Sequence, residues 1–259
     1  MYDAKMISLQ GRKGLVTGIA NDRSIAWGCA KAFRWLGAEL AVTYLNDKAK
    51  PHVEPLAREL DAPLLLPLDL RVEGQLEAVF ERVAAGWGRL DFVLHSIAFA
   101  PKEDLQGPVV DCSRDGFLTA MDISCHSFIR MAKLALPLMP EGGTLITMTY
   151  LGSTQVVEGY NMMGPVKAAL EAAARYMAAE LGPRGIRVHA VSPGPLKTRA
   201  ASGLAHFDAL LNRAAEKAPA RSLVSIADVG LATAFLATDA ARHITGNTIY
   251  IDGGYHIVD

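Results

Sequence analysis

The chain has 259 residues, of which 51% are hydrophobic and 20% charged, and its net charge is −1. That length suits an α/β domain able to bury a sizeable core. A near-neutral balance without any basic run excludes electrostatic capture by nucleic acid or an anionic membrane, and no apolar run is long enough to span a bilayer.

In chain order, Lys13–Thr17 is a short apolar run ending at Gly18. A loop follows, then a helix over Ser24–Leu36 that Gly37 can end, then a second strand, Glu39–Tyr44. Together they make one βαβ unit of about thirty residues. Further strands are predicted at Leu64–Leu70, Leu90–Ser96, Thr144–Thr149, Ile186–Ser192 and Asn247–Asp252. Pro67 confines the third strand to a sheet edge or a strand end. The longest helical patterns cover Ser113–Leu136 and Ala168–Leu181, and Ser225 with Asp228 makes a capping box before a helix over Val229–Ala237. The stretch Pro193–Phe207 breaks this rhythm with prolines, glycines and small residues, as lids do. There is no linker, fixed-period repeat or low-complexity tract. The alternation predicts one domain over residues 1–259 of Rossmann type, a doubly wound α/β fold with a seven-stranded parallel sheet flanked by helices.

Cys29, Cys112 and Cys125 are scattered and form no CxxC pair, and no two histidines are spaced H-x3-H. The expectation is three reduced thiols, no metal and a cytoplasmic location. The opening MYDAKMISLQ lacks the apolar run of a secretory signal. His95 is expected to be a packed strand-end histidine.

The end of the first strand can hold a pyrophosphate, because a helix N-terminus offers unpaired N–H groups and the positive end of its dipole. Gly18 permits the tight exit, and Ser24 can cap the helix and offer a hydroxyl to phosphate. By its glycines alone, however, GIANDRSIAWG is not G-x-G-x-x-G and is equally a plain strand-to-helix turn. After the second strand stand Leu45, Asn46 and Asp47. No cation at 45 or 46 can neutralise a 2′-phosphate and Asp47 would repel one, which points to NADH, although Lys48 is close by. Asp69 ends the third strand, where it either accepts from an adenine amino group or has no special role; the same choice applies to Ser96 and Ile97 after the fourth.

Tyr160 and Lys167 are seven residues apart, which on a helix puts them on one face, two turns from each other. Asn161 is a plausible N-cap, with Pro165 in the first turn, which puts Tyr160 at the helix entrance and Lys167 inside it, both reaching one cleft. With seven tyrosines in the chain, such a spacing arises by chance about a quarter of the time, so spacing alone identifies nothing.

The strings GIANDRSIAWG, TYLNDK, HSIAFAP, TYLG, Tyr160-x6-Lys167, RYMAAELGPRGIRVHAVSPGP and KTRAASG jointly resemble the bacterial NADH-dependent enoyl-acyl carrier protein reductases of the short-chain dehydrogenase/reductase superfamily, from Gly11 to about Gly254. The resemblance implies reduction of the trans-2 double bond of enoyl thioesters, the last step of the fatty acid elongation cycle. It implies NADH (NAD+) as cofactor, an enoyl-acyl carrier protein substrate and a homotetramer. It places Gly18, Ser24 and Ile25 at the pyrophosphate, Leu45 at the adenosine ribose, Asp69 and Leu70 at adenine, Ser96 and Ile97 on the nicotinamide side, and Lys167 on the nicotinamide ribose. Pro195, Leu196 and Thr198 close over the cofactor. Tyr160 and Tyr150 match the two active-site tyrosines, Ala100, Met163 and Phe207 fall to the substrate, and about 193–217 forms the substrate-binding loop and helices. Lys167 would also make the nearby phenol more acidic.

Two other readings compete. Ketoacyl reductases and most alcohol-type relatives resemble Tyr-x3-Lys, and Met163 stands where that tyrosine would be, which speaks against a reductase of ketones or unrelated enones. A non-catalytic dinucleotide sensor would have no need of Tyr160 and Lys167 together. Ala98, SPGPLKT and Leu45 depart from the pattern of some relatives and bear on inhibitor sensitivity and coenzyme preference.

Overall fold

The computed structural model describes residues 4–196 and 207–258. Its strands are β1 (Lys13–Thr17), β2 (Glu39–Tyr44), β3 (Leu64–Pro67), β4 (Phe92–His95), β5 (Gly143–Met148), β6 (Ile186–Pro193) and β7 (Thr248–Ile251). Between them lie α1 (Ile25–Trp35), α2 (Lys50–Glu59), α3 (Gln75–Trp87), α4 (Lys102–Gln106), α5 (Arg114–Met121), α6 (Ser127–Ala135), α7 (Met163–Leu181), α8 (Phe207–Lys217) and α9 (Ile226–Ala237).

The strands form one sheet in the order β3-β2-β1-β4-β5-β6-β7, and every neighbouring pair is parallel. The central strands face helices on both sides, so their residues feed two cores by turns. Leu15, Val93 and Leu145 enter one core with α3, α6 and α7, whereas Val16, Leu94 and Ile146 enter the other with α1 and α9. This is why the strands appear in sequence as unbroken apolar runs. Pro67 is tolerated because it ends β3, the edge strand. On the second face α1 and α9 approach closely: a Cβ at Gly28 would lie 2.1 Å from the Ile226 carbonyl oxygen, and one at Gly230 would lie 2.3 Å from that of Gly28.

Several expected boundaries shift. The helix expected over Ser113–Leu136 is interrupted by a π turn at Asp122–His126, of the kind that often marks functional sites. There the Ser124 hydroxyl accepts from Phe99 N (2.9 Å) and donates to Phe99 O (3.0 Å), pinning the loop after β4. The α7 helix starts five residues before its expected Ala168. The capping box at Ser225 and Asp228 forms as its spacing predicts, one turn before Val229. Among the described residues no helix is long and apolar enough to cross a membrane.

Candidate active site

Since all strands are parallel, their carboxyl ends share one edge of the sheet. Gly18, Leu45, Asp69, Ser96, Tyr150 and Pro195 each follow a strand and therefore gather there, although they are spread over most of the chain.

The sheet order reverses between β1 and β4, and here the fit to a dinucleotide can be tested. Gly18 has φ +94°, and a Cβ there would lie 2.0 Å from the Ser96 carbonyl oxygen. The backbone thus leaves β1 through a space only glycine can occupy. Ser24 is the N-cap residue of α1, but the expected capping bond is absent. Its Oγ turns back instead to accept from Ala20 N (3.0 Å) and Asn21 N (3.1 Å). The serine therefore shapes the loop, and the helix end keeps first-turn N–H groups without a side-chain cap, which is what a pyrophosphate requires. Leu45 is half-exposed after β2, while Asn46 Oδ1 accepts from Lys48 N and Ala49 N to start the turn into α2. The Asp69 carboxylate is held by Arg71 (2.7 and 2.9 Å), a bond that pulls its pKa down and competes with any adenine contact. Leu70 is buried in the core, and Ile97 and Ala100 pack partly against it. Pro195 and Leu196 are buried after β6. Thr198 lies outside the described residues, and only the backbone of Phe207 is described.

As the spacing predicts, Tyr160 sits at the entrance of α7 and Lys167 inside it; what needs correction is the N-cap, which is Met162 and not Asn161. Asn161 takes a left-handed φ of +44°, and its Nδ2 donates to Leu105 O of α4 at 2.7 Å. Asparagine tolerates that conformation, and the bond explains why the chain delays its helix. Pro165 does fall in the first turn. Met163 opens the helix and is buried in the core.

Tyr160 packs edge-on against Tyr150, with ring centroids 5.0 Å apart and planes at 65°. Gly152 makes room: a Cβ there would lie 2.3 Å from Tyr160 Cδ1. The Tyr150 hydroxyl is buried and has no hydrogen-bond partner among the described residues, a costly state that a ligand can relieve. Lys167, 4% exposed, donates from Nζ to Met148 O at 2.7 Å, which aims it at the end of β5. Burial lowers its pKa to about 8, against the pull of Cys125 and Glu171. The phenols move the other way. Burial, then Tyr150 and then Glu171 push Tyr160 up, and burial pushes Tyr150 up. The expectation that Lys167 acidifies Tyr160 is not met in this structure: burial, Tyr150 and Glu171 all raise the phenol.

His95 is fully buried between Thr147 Oγ1 and Ser127 Oγ, each at 2.8 Å, as a packed histidine should be. Sequence reasoning passed over Thr149, Ser124 and Glu171. Thr149 Oγ1 donates to Glu171 Oε1 at 2.6 Å. The signal for Glu171 was available: it lies one turn after Lys167, in register with the buried residues Met163, Val166, Leu170 and Ala174. Among the described residues no three His, Cys, Asp or Glu side chains cluster as a metal site would.

The chain is also similar to known proteins. The sequence model of the family described as Enoyl-(Acyl carrier protein) reductase matches residues 18–256. The chain is 46% identical over 249 residues to enoyl-[acyl-carrier-protein] reductase [NADH] 2 of Rhizobium meliloti, covering 96% of this chain and 93% of that one. The crystal structure of the Anaplasma phagocytophilum reductase in complex with NAD superposes with a TM-score of 0.93 at 44% identity, over 100% of this chain and 98% of that one. The Bacillus cereus reductase, solved with NADP+ and an indole naphthyridinone, gives 0.94 at 44% identity, over 97% and 98% of the two chains. With the family model spanning nearly the whole chain and this identity over its full length, the chain belongs to the enoyl-acyl carrier protein reductase family.

Proposed function

We propose that this protein reduces the trans-2 double bond of enoyl thioesters borne by acyl carrier protein, with NADH as reductant, closing the fatty acid elongation cycle. The observation that carries this reading is the Tyr150–Tyr160 pair at the exit of β5, beside the buried Lys167, together with a methionine buried at 163 where relatives acting on ketones resemble tyrosine.

The uncapped start of α1 and the Gly18 cradle fit a dinucleotide. Gly18, Ile25, Ser96, Ile97, Pro195, Leu196 and Thr198 would hold it, with Ser24 shaping the loop and Leu45, Asp69 and Leu70 at the adenosine end. Lys167 spends one N–H on Met148 O and keeps two for the nicotinamide ribose hydroxyls. The absence of a cation at 45 and 46, with Asp47 following, supports NADH over NADPH. When bound, NADH supplies the hydride that reduces C3 of the substrate.

Charge then grows on the thioester oxygen, Tyr160 donates a hydrogen bond to it where it appears, and a proton taken up at C2, ultimately from water, completes the reduction. A phenol held well above its ordinary pKa stays protonated at any working pH, so Tyr160 acts as a neutral donor. Tyr150, edge-on to it, shapes the pocket and offers its unpartnered hydroxyl. Ala100 and Met163 would line the acyl side, and the family resemblance assigns Phe207 and the segment 193–217, part of which lies outside the described residues, to the substrate. The whole chain works as one cofactor-binding and catalytic unit, in the cytoplasm, as a homotetramer; the exposed Leu118, Ile129 and Tyr176 on its helices support self-association.

The test follows NADH consumption with a trans-2-enoyl thioester beside a 3-ketoacyl thioester. Turnover of the enoyl substrate alone is the expected result. Turnover of the ketoacyl substrate alone, or of neither, would overturn the proposal.

A further inference from the structure

Three consecutive residues at the end of β5 each hold one part of the site. The carbonyl of Met148 accepts from Lys167, the hydroxyl of Thr149 donates to Glu171, and the ring of Tyr150 packs on Tyr160. Glu171 is 5% exposed and sits one turn along α7 from Lys167. A buried carboxylate persists only when it is hydrogen-bonded and charge-compensated. The Thr149 bond supplies the first requirement, and Lys167, one turn back on the same helix and electrostatically coupled to Glu171, supplies the nearby cation.

We propose that Glu171 is a positioning residue for the reduction: anchored by Thr149, its buried carboxylate keeps Lys167 an ammonium and Tyr160 a neutral phenol, so that both meet the ligands as hydrogen-bond donors. This rests on the roles given to Tyr160 and Lys167 above.

The groups around this pair leave that task to Glu171. Lys167 faces Cys125 from the π turn, His95 from β4 and Glu171 from its own helix. Burial pushes the Cys125 thiol up and the His95 imidazole down to about 3, so both are uncharged near neutrality. Tyr160 faces Tyr150 and Glu171, and Tyr150 is itself protonated. Among these groups Glu171 is the carboxylate, and its field opposes the loss of a proton from either donor. The need is greatest at Lys167, which burial has already brought to about 8. An ammonium keeps two donors after bonding Met148 O, whereas a neutral amine keeps one.

The experiment measures the NADH dissociation constant by fluorescence, and kcat/KM for an enoyl thioester, from pH 6 to 9.5. It compares the wild-type protein with Glu171→Gln, Glu171→Asp, Thr149→Val and Lys167→Met. Binding and turnover should weaken as pH rises through the Lys167 midpoint, and Lys167→Met, which lacks that limb, assigns it. In Glu171→Gln the midpoint should move to lower pH by about one unit or more, the size expected when a nearby opposite charge is removed. Glu171→Asp should restore it even where its rate is lower, and Thr149→Val should move it by less. A Glu171→Gln midpoint coinciding with wild type, with activity lowered equally at every pH, would overturn the proposal. If that variant does not fold, an unchanged midpoint in Thr149→Val overturns it. Full NADH binding and turnover in Lys167→Met would instead sink the reading of Lys167 itself.

Discussion

The rings of Tyr150 and Tyr160 meet edge to face at 5.0 Å, yet their hydroxyls have different fates. Tyr160 is the proposed donor to the thioester oxygen, so Tyr160→Phe should lose on the order of 10²–10³ in kcat while NADH binds as before. Single-turnover rates and an NADH titration check this; undiminished turnover would remove Tyr160 from the mechanism.

Tyr150→Phe should behave differently. The hydroxyl it deletes is buried and has no partner among the described residues, and leaving such a group unpaired costs roughly 1–3 kcal/mol. The ligand-free variant should therefore melt at the wild-type temperature or above it, with a smaller loss of kcat than Tyr160→Phe. A clear fall in Tm would show that the hydroxyl has a partner in solution.

Gly18→Ala should damage both fold and cofactor binding. Its φ of +94° disfavours any side chain, and the new methyl would meet the Ser96 carbonyl at 2.0 Å. The backbone term alone costs on the order of 1–3 kcal/mol, and relief of the clash must separate β1 from β4 where the pyrophosphate would bind. Urea denaturation should show the loss of stability and calorimetry a weaker NADH affinity; wild-type affinity would mean the dinucleotide lies elsewhere.

Gly152→Ala probes position without touching the phenol. Its methyl would lie 2.3 Å from Tyr160 Cδ1, so the ring must move. Because a misplacement of about 1 Å can cost roughly 10²-fold, kcat should fall by at least about tenfold while the NADH dissociation constant stays put. An equal fall in both would point to a general loosening of the site.

The sheet was legible in the chain because strands buried on both faces must be apolar throughout, as Val93 and Leu94 show by entering opposite cores. Parallel pairing then carried the strand-end residues to one edge. What pattern reading missed was set by distant partners. Asn161 leaves the helix because its side chain reaches Leu105, 56 residues away, and the π turn exists where Ser124 grips Phe99. The direction of the Tyr160 pKa has a related cause: a nearby cation can be read from spacing, but the burial that raises the phenol belongs to the packed site.

The buried His95 gives a prediction in pH. Burial, then Lys167, pushes its pKa from 6.5 to about 3, so the folded protein holds it neutral where the unfolded chain would protonate it. Its contribution is present above pH 6.5 and is lost progressively as the pH falls toward 3, amounting to a few kcal/mol on the order expected from linkage. His189, pushed to about 4 by burial and Arg187, adds to the same decline. His95→Gln should be less stable at pH 7.5, since it disturbs the bonds to Thr147 and Ser127, but should lose less further stability by pH 5 than the wild-type protein does. Urea denaturation at both pH values measures this. An equal drop in the two proteins would place the acid sensitivity in other groups, because only a proton taken up on unfolding by His95 disappears with the imidazole.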